Sequence, residues 1–206
     1  MRIYVACLAS YNNGVLYGRW IDASSDVDEM QEQVNAMLRE SKFPNVMVTC
    51  PECEGAGKPY GFGDSVCEAC GGKGKVPSAE EWAIHDYEDM PSTFGEYSGL
   101  QAIADYAEFV DQIETTTGLD GEAAQDLAKA MLENWHDVKG AQDALDRFVT
   151  VCDTFRDYSD ELAEDQLYCA PEFLQQYFDY EAFARDLKME YTVLDLPDGQ
   201  EAIFYA

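Results

Sequence analysis

The chain has 206 residues, of which 47% are hydrophobic, enough to bury a core in one large domain or in two to three small ones. Its 41 acidic residues outnumber 13 basic ones, and the formal net charge of −28 excludes a protein that binds nucleic acid directly through its phosphates. Because 13% of the residues are aromatic, this acidic composition predicts a folded protein rather than a disordered one. Mutual repulsion of the carboxylates favours an elongated shape.

The first residues, MRIYVACLASYNNG, lack the basic flank and the long apolar stretch of a secretion signal, and no run of 18 apolar residues follows them. These two observations predict a cytoplasmic protein, in which the seven cysteines are thiols or metal ligands rather than disulfides. Cys7 on an apolar strand and Cys152 on an apolar helix face are expected to be buried, and Cys169 is isolated.

Residues 1–98 predict a small α+β domain. A tight turn at Asn13-Gly14 is expected to join its first two strands into a hairpin. A helix capped by Asp26 or Asp28 follows and runs to about Arg39. The apolar face of this helix consists of Met30, Val34, Met37 and Leu38. The predicted strands of the domain are Arg2–Leu8, Val15–Ile21, Val46–Thr49 and Trp82–Tyr87.

Two copies of the pattern Cys-x-x-Cys-x-Gly-x-Gly interrupt this domain, in a segment from about residue 50 to 76 that we call the cysteine insert. Two such pairs of thiols suit one structural zinc ion, with no position left open for catalysis. The insert is too short for a hydrophobic core, so the metal is its natural source of stability. A redox dithiol is the alternative, but two matched pairs favour zinc. The predicted ligands are Cys50, Cys53, Cys67 and Cys70.

The cysteine insert resembles the zinc module of the DnaJ co-chaperones, in which CxxCxGxG repeats form a metal-bound hairpin. The resemblance covers about 27 residues and two of the four repeats that such chaperones usually carry. A J-domain signature of the His-Pro-Asp kind is absent from the sequence. The resemblance therefore supports the fold of the insert and not a chaperone function.

The pattern becomes helical from Gly99 onward. The first helix is predicted from the spacing of Leu100, Ile103, Ala107 and Val110. The other predicted helices are Gly121–Asn134 after Asp120, one that begins near Lys139 and carries Ala144, Phe148 and Val151 inward, Phe155–Tyr168, and Pro171–Lys188. The segments YTVLDL and EAIFYA, on either side of a Pro197-Asp198-Gly199 turn, predict a terminal hairpin.

Most of the acidic charge lies in this helical part, since residues 79–190 contain 28 acidic and 6 basic residues. Duplex DNA has one charge per about 1.7 Å of axis, so 28 charges correspond to roughly 48 Å of duplex. One helix offers a carboxylate only every ~5.4 Å, so several helices must form a shared acidic surface to imitate that density. The candidate residues, which we call the acidic set, are Asp105, Glu108, Asp111, Glu114, Glu122, Asp126, Asp143, Asp146, Asp157, Asp160, Glu161, Glu164 and Asp165.

The sequence contains no recognisable catalytic constellation. His85 and His136 are the only histidines, and neither belongs to a known catalytic motif. P-loop and dinucleotide fingerprints are missing, as is the ordered acidic loop of an EF-hand. We therefore expect a protein that is not an enzyme.

Three stretches resemble the ArdA antirestriction family: RIYVACLASYNNGVLYGRWIDA, EEWAIHDYED and FLQQYFDYEAFARDL. Members of that family are elongated, dimeric DNA mimics from plasmids, phages and conjugative transposons, and they occupy the DNA-binding site of type I restriction–modification enzymes. The resemblance implies an α+β protein with three domains: residues 1–98 with the cysteine insert, a helical middle domain over 99–140, and an acidic α+β domain over 141–206 that helps to form a homodimer. Ordinary members lack the insert.

Two functions follow as hypotheses. The first is an antirestriction protein that imitates DNA and binds a type I enzyme through its DNA-binding groove. The alternative is a zinc-containing chaperone-like or adaptor protein, in which the cysteine insert binds a protein client and the acidic residues only keep the chain in solution.

Overall fold

The structure is a computed structural model that describes residues 1–41, 47–50, 52–58, 65–77, 81–95 and 98–206. These residues form eight α-helices and three antiparallel sheets, so the fold is α+β as predicted. They fall into two compact units, Met1–Ala104 and Asp105–Ala206. The division into three domains stays a prediction. Within the described residues, no helix is both long and apolar enough to cross a bilayer.

The first unit is built on an antiparallel sheet with the strand order β2-β1-β5. The elements of this unit are β1 Arg2–Cys7, α1 Leu8–Asn12, β2 Gly18–Asp22, α2 Val27–Glu40, β3 Met47–Thr49, β4 Lys75–Pro77 and β5 Trp82–Glu88. The strand predicted over Trp82–Tyr87 is therefore confirmed. Its pairing with β1, from Arg2 opposite Glu88 to Cys7 opposite Trp82, brings together residues that are some 80 positions apart in sequence.

The tight hairpin at Asn13-Gly14 is a wrong prediction. The strands β1 and β2 do pair, but their register starts with Ala6 opposite Gly18 and leaves a long connection between them. Part of that connection folds into the short helix α1, which Asn13 ends by donating from its side-chain amide to the Ala9 carbonyl over 2.7 Å. Asn13-Gly14 thus terminates a helix.

The helix predicted from Asp26 or Asp28 to about Arg39 is confirmed as α2, and it packs against this sheet. Asp26 caps it, because one carboxylate oxygen accepts hydrogen bonds from the backbone N–H groups of Asp28 and Glu29 at 2.9 and 3.0 Å. The four residues predicted for the apolar face are all buried. They share a core with the sheet residues Ile3, Val5, Ile21 and Ile84 and with Leu100 and Ile103.

Strands β3 and β4 pair with each other as a two-stranded sheet, with Thr49 opposite Lys75. This ribbon is the base of the cysteine insert. Val46, the first residue of the strand predicted over Val46–Thr49, lies outside the described residues, as do positions 51 and 59–64 of the insert.

Three helices come next in the chain, and the first of them begins in the first unit and continues into the second. Helix α3 runs over Leu100–Thr117, α4 over Gly121–Trp135 and α5 over Val138–Leu145. The four apolar residues that predicted α3 are buried, and the helix predicted over Gly121–Asn134 is confirmed as α4. Asp137 caps α5 by accepting from the Gly140 N–H at 2.6 Å.

The rest of the second unit is α+β. Its elements are β6 Phe148–Cys152, α6 Phe155–Leu167, α7 Glu172–Gln175, α8 Tyr180–Leu187, a 3₁₀ turn Lys188–Glu190, β7 Tyr191–Asp195 and β8 Glu201–Tyr205. The predicted terminal hairpin is confirmed, because β7 pairs with β8 from Tyr191 opposite Tyr205 to Asp195 opposite Glu201. The sheet order is β6-β8-β7, which places β8 in the centre.

Two helix predictions in this part were wrong in extent. The third helix ends at Leu145, and Phe148, Val151 and Cys152 lie on strand β6, so Cys152 is half-buried on a strand and not on a helix face. The helix predicted over Pro171–Lys188 is divided into α7, α8 and the 3₁₀ turn. The division has a local cause, since Asp179 caps a new helix by accepting from the Ala182 N–H at 2.9 Å.

Candidate metal centre and acidic surface

The four predicted cysteine ligands lie together. Cys50 and Cys53 belong to a turn that follows β3, and Cys67 and Cys70 belong to a second turn that precedes β4. Their four sulfur atoms all lie within 4.8 Å of one another, and all four residues are buried. The Sγ–Sγ distance is 4.0 Å between Cys50 and Cys67 and 3.7 Å between Cys53 and Cys70.

These distances fit a tetrahedral metal site. Four thiolates at about 2.3 Å from a zinc ion would be separated by roughly 3.8 Å along each edge of the tetrahedron. Both measured separations are close to that value, and they are far longer than the ~2.05 Å bond of a disulfide. The four cysteines could therefore hold one metal ion with no protein ligand missing.

The backbone around the sulfurs repeats after 17 residues. The Gly57 N–H donates to Cys53 Sγ at 3.2 Å, and the Gly74 N–H donates to Cys70 Sγ at the same distance. The two turns are also bonded to each other, because the Cys67 N–H donates to the Gly57 carbonyl and the Cys50 N–H donates to the Gly74 carbonyl, both at 3.0 Å. Each turn therefore orients the sulfurs of its own half and supports the other half.

Gly57 and Gly74 are required by this arrangement. Both have left-handed backbone angles, with φ of +70° and +69°. A Cβ atom on Gly57 would lie 2.5 Å from the Gly72 carbonyl oxygen, and one on Gly74 would meet the Gly55 carbonyl oxygen in the same way. Since these neighbours are backbone atoms, a side chain at either position would push the two turns apart.

Two of the cysteine thiols have a shifted pKa. Burial raises the pKa of Cys70, but hydrogen bonds from the Gly74 N–H and from the thiols of Cys53 and Cys67 outweigh burial and lower the pKa to about 7. A backbone hydrogen bond lowers the pKa of Cys67, but burial and the three neighbouring thiols together raise it to about 11. The lowered pKa of Cys70 favours the thiolate, which is the form that binds a metal ion.

The cysteine insert has no hydrophobic core apart from its ligands. The four cysteines form a cluster of their own, against which only the half-buried Val76 packs among the described residues. This cluster is separate from the core beneath the three-stranded sheet. Without a metal ion, little apolar surface would hold the two turns together.

The second unit carries most of the acidic charge. Residues 105–206 contain 25 acidic and 6 basic residues, a net charge of −19. Ten residues of the acidic set are exposed there, whereas Glu114, Asp126 and Asp160 are half-buried. The exposed ones are Asp105, Glu108, Asp111, Glu122, Asp143, Asp146, Asp157, Glu161, Glu164 and Asp165.

Some of the acidic set also stabilise local structure. Glu114 accepts from the Gly121 N–H at the start of α4 over 3.1 Å, and Asp126 pairs with Lys129 at 3.3 Å. Asp160 pairs with Arg156 at 2.8 Å. Asp157 accepts from the Thr154 hydroxyl at 2.6 Å. Eight members make neither an ion pair nor a side-chain hydrogen bond with any residue in the described ranges: Glu108, Asp111, Glu122, Asp143, Asp146, Glu161, Glu164 and Asp165. Their charges point into solvent and are available to a partner.

Helix α6 shows how such charges line up. Asp157, Glu161 and Glu164 have the spacing i, i+4, i+7, which places them on one face of the helix, and all three are exposed. The described residues hold no group of three or more His, Cys, Asp or Glu ligands close enough for a metal ion other than the four cysteines. The exposed carboxylates are therefore spread out rather than gathered around a cation.

Two acidic residues that the prediction left out lie beside two that it named. A cleft of about 610 Å³ at the start of α4 is lined by four carboxylates. Two of these, Glu122 and Asp126, were predicted. The other two, Asp120 and Asp198, were assigned only to a helix start and a turn, although their charge was visible in the sequence.

The remaining candidate residues lie apart from both sites. His85 is on β5 with its ring edge-on to Tyr11 at 5.2 Å, and His136 ends α4 in the left-handed conformation with φ of 68°. Cys7 is buried as predicted. Burial and the neighbouring carboxylates of Glu201 and Asp157 raise the pKa of Cys152 to about 11, which keeps that thiol protonated and unreactive.

Comparison with known proteins gives one result for the whole chain. The sequence model of the family described as Antirestriction protein (ArdA) matches residues 3–202. The matched range includes the acidic helices and runs across the cysteine insert. The chain matches no curated protein.

Proposed function

Because the chain belongs to the ArdA family of antirestriction proteins, we propose that it inhibits type I restriction–modification enzymes by occupying their DNA-binding groove in place of DNA. It does so by binding and not by catalysis, and incoming DNA of a mobile genetic element is thereby protected in the cytoplasm. The partner is a protein, and the chain itself binds no nucleic acid.

The observation that carries this proposal is the concentration of exposed, unpaired carboxylates in the second unit. Its net charge of −19 equals the phosphate charge of roughly 32 Å of duplex. A groove that binds DNA presents cationic side chains to phosphates, and the same side chains would attract a surface of carboxylates. The charges of α3, α4 and α6 supply that surface from several helices at once.

The proposal is tested by competition. A purified type I enzyme is mixed with a fluorescent duplex that contains its recognition sequence, and the protein is titrated into the complex. We expect displacement of the duplex at about 0.01 M salt, where the Debye length is about 30 Å. Direct binding of the labelled protein to the DNA-free enzyme should be much weaker at about 1 M salt, where the Debye length is about 3 Å. An absence of displacement at low salt, for several type I enzymes, would refute the mimicry.

We propose further that the metal is one zinc ion with a structural role. Four buried thiolates with tetrahedral separations suit zinc better than a hard cation such as magnesium or calcium, which prefers oxygen ligands. Bound there, the ion would fix the two turns and supply no open coordination position for chemistry. We also propose that the protein acts as a homodimer, which doubles the charge presented to the groove.

A further inference from the structure

Strand β2 forms one edge of the sheet in the first unit. The sheet order is β2-β1-β5, so β1 pairs with one side of β2 and no described strand pairs with the other side. The Cys7 N–H donates to the Tyr17 carbonyl at 2.8 Å, and every second residue from Tyr17 onward therefore bonds to β1. The residues whose backbone N–H and C=O groups point outward are Gly18, Trp20 and Asp22.

The outward backbone groups of β2 make no hydrogen bond to any residue in the described ranges. Unpaired donors and acceptors along a strand are a template on which another strand can add. Folded proteins normally protect such an edge with charged side chains or with a covering segment. The exposed edge of β2 therefore needs to be compared with the other edges of this chain.

The other edge strands of the two three-stranded sheets are β5, β6 and β7, and carboxylates lie at each of them. Strand β5 contains Asp86 and Glu88, and β7 ends at Asp195. The end of β6 lines a cleft together with Asp157 and Glu161. Strand β2 differs, because residues 1–21 contain no acidic residue at all and its one carboxylate is at the last position of the strand.

Apolar side chains lie beside the outer edge of β2. The Trp20 side chain is 37% exposed, and its ring lies edge-on to the Tyr4 ring with centroids 5.5 Å apart. The Arg2 guanidinium lies over the same indole at 5.4 Å. Val15 and Leu16, which directly precede the strand segment, are 43% and 68% exposed. An added strand would thus gain apolar and aromatic contacts as well as backbone hydrogen bonds.

The local charge indicates what kind of segment would add there. Arg2 pairs with Glu88, and Arg19 pairs with Glu40 at 2.6 Å, so the two arginines of residues 1–21 are already neutralised. A cationic groove would be attracted to the acidic faces of the chain instead, and a second copy with a charge of −28 would be repelled. An uncharged apolar segment is subject to neither effect.

We propose that the outer edge of β2 binds an extended segment of a partner protein by strand addition. The segment is uncharged and has apolar side chains at alternate positions, since one row of them would face the exposed side chains of Leu16 and Trp20. Its backbone pairs with the outward groups of β2. This edge is separate from the acidic set, so its occupancy does not depend on the DNA mimicry.

The probe for this edge is a phage-displayed library of random peptides of about nine residues, long enough to span a strand. The library is selected against the immobilised full chain at about 1 M salt, where the Debye length of about 3 Å suppresses binding of basic peptides to the acidic surface. We expect enrichment of uncharged peptides with apolar residues at every second position. An absence of such peptides would contradict the proposal.

Two variants of one residue test whether an enriched peptide pairs with the edge. Trp20→Ala and Trp20→Pro both remove the indole, but only proline also removes the outward N–H. An edge strand tolerates proline where the N–H faces solvent, so the two variants should have similar circular dichroism and thermal melts. The peptide should bind Trp20→Pro at least ~10-fold more weakly than Trp20→Ala. Equal affinities would overturn the proposal.

Amide hydrogen exchange tests the same edge in the wild-type chain, without any substitution. In the free protein, the N–H groups of Trp20 and Asp22 should exchange faster than those of Arg19 and Ile21, which face β1. Saturating peptide should slow exchange at Trp20 and Asp22 at least ~10-fold and change the other two much less. The proposal is wrong if the peptide leaves the outward groups unchanged. It is also wrong if the free protein protects them increasingly with its own concentration, because a second copy then occupies the edge.

Discussion

At the scale of single residues, the two turns of the metal centre show why glycine occurs where it does. Positions 17 residues apart have the same backbone path, so Glu54 is the counterpart of Gly71, and both lie in the left-handed region with φ of 47° and 56°. Glu54 shows that this position accepts a side chain. Gly57 and Gly74 cannot accept a side chain in the same way, because the backbone of the opposite turn fills the space beside them.

A pair of substitutions separates the effect of the left-handed backbone angle from that of the close approach between the two turns. In Gly71→Ala, the new Cβ would have nothing within 4 Å, so only the left-handed angle matters and about 1–2 kcal/mol of stability should be lost. In Gly57→Ala, the Cβ would also press on the Gly72 carbonyl, and we expect metal affinity to fall by more than tenfold. Competition with a chromophoric chelator measures both affinities. Equal affinities for the two variants would contradict the role of the close backbone approach.

At the scale of helices and strands, the sequence predicts the elements whose signals lie within their own residues. Helix α2 has both an apolar face and a capping aspartate within its own residues, and the cysteine spacing specifies the metal centre. Strand β6 could not be identified in this way, because Ala144, Phe148 and Val151 have helical spacing. What makes Phe148–Cys152 a strand is pairing with β8, some 50 residues later in the chain. The acidic lining at Asp120 and Asp198 was missed for the same reason, since it too joins distant residues.

The separation of the insert from the sheet core leads to a prediction about metal removal. In the double variant Cys50→Ser, Cys53→Ser, half of the ligands are lost, and we expect the zinc content to fall from one ion per chain to none. The core beneath the three-stranded sheet shares no residue with the cysteine cluster, so helical circular dichroism should persist. Antirestriction activity should remain within about threefold of wild type if the acidic surface carries it.

Cys169→Ser is the control for that experiment, because Cys169 is exposed and lies outside the metal centre. It should retain zinc and activity. A folded double variant that has lost its activity would instead favour the adaptor hypothesis, in which the insert binds the client. Collapse of the whole helical signal would show that the insert and the sheet core are not energetically separate.

At the scale of the whole molecule, function is proposed to depend on the sum of many weak charges. No member of the acidic set is fully buried, as a catalytic carboxylate often is, and the half-buried Glu114, Asp126 and Asp160 have partners that are local in sequence. Exposed ion pairs contribute about 0.2–1 kcal/mol each, so a single carboxylate-to-amide change should alter affinity for the enzyme less than about fivefold. The arrangement of many charges should therefore affect binding to the enzyme more than any single charge does.

Two variants of equal net charge test this collective effect. The first replaces by amides eight exposed members of the acidic set that make neither an ion pair nor a side-chain hydrogen bond: Glu108, Asp111, Glu122, Asp143, Asp146, Glu161, Glu164 and Asp165. The control replaces eight exposed acids of the first unit: Asp22, Asp28, Glu29, Glu32, Glu52, Glu68, Glu81 and Asp86.

At about 0.3–0.5 kcal/mol per charge, the first variant should lose about 2–4 kcal/mol of binding free energy, roughly 30- to 1,000-fold in affinity at low salt. Its affinity should also fall less steeply as salt rises, since fewer charges interact with the groove. The control should lose clearly less, and titration of each variant against a type I enzyme with bound duplex measures both. Equal losses would mean that total charge and not the acidic surface of the second unit governs binding.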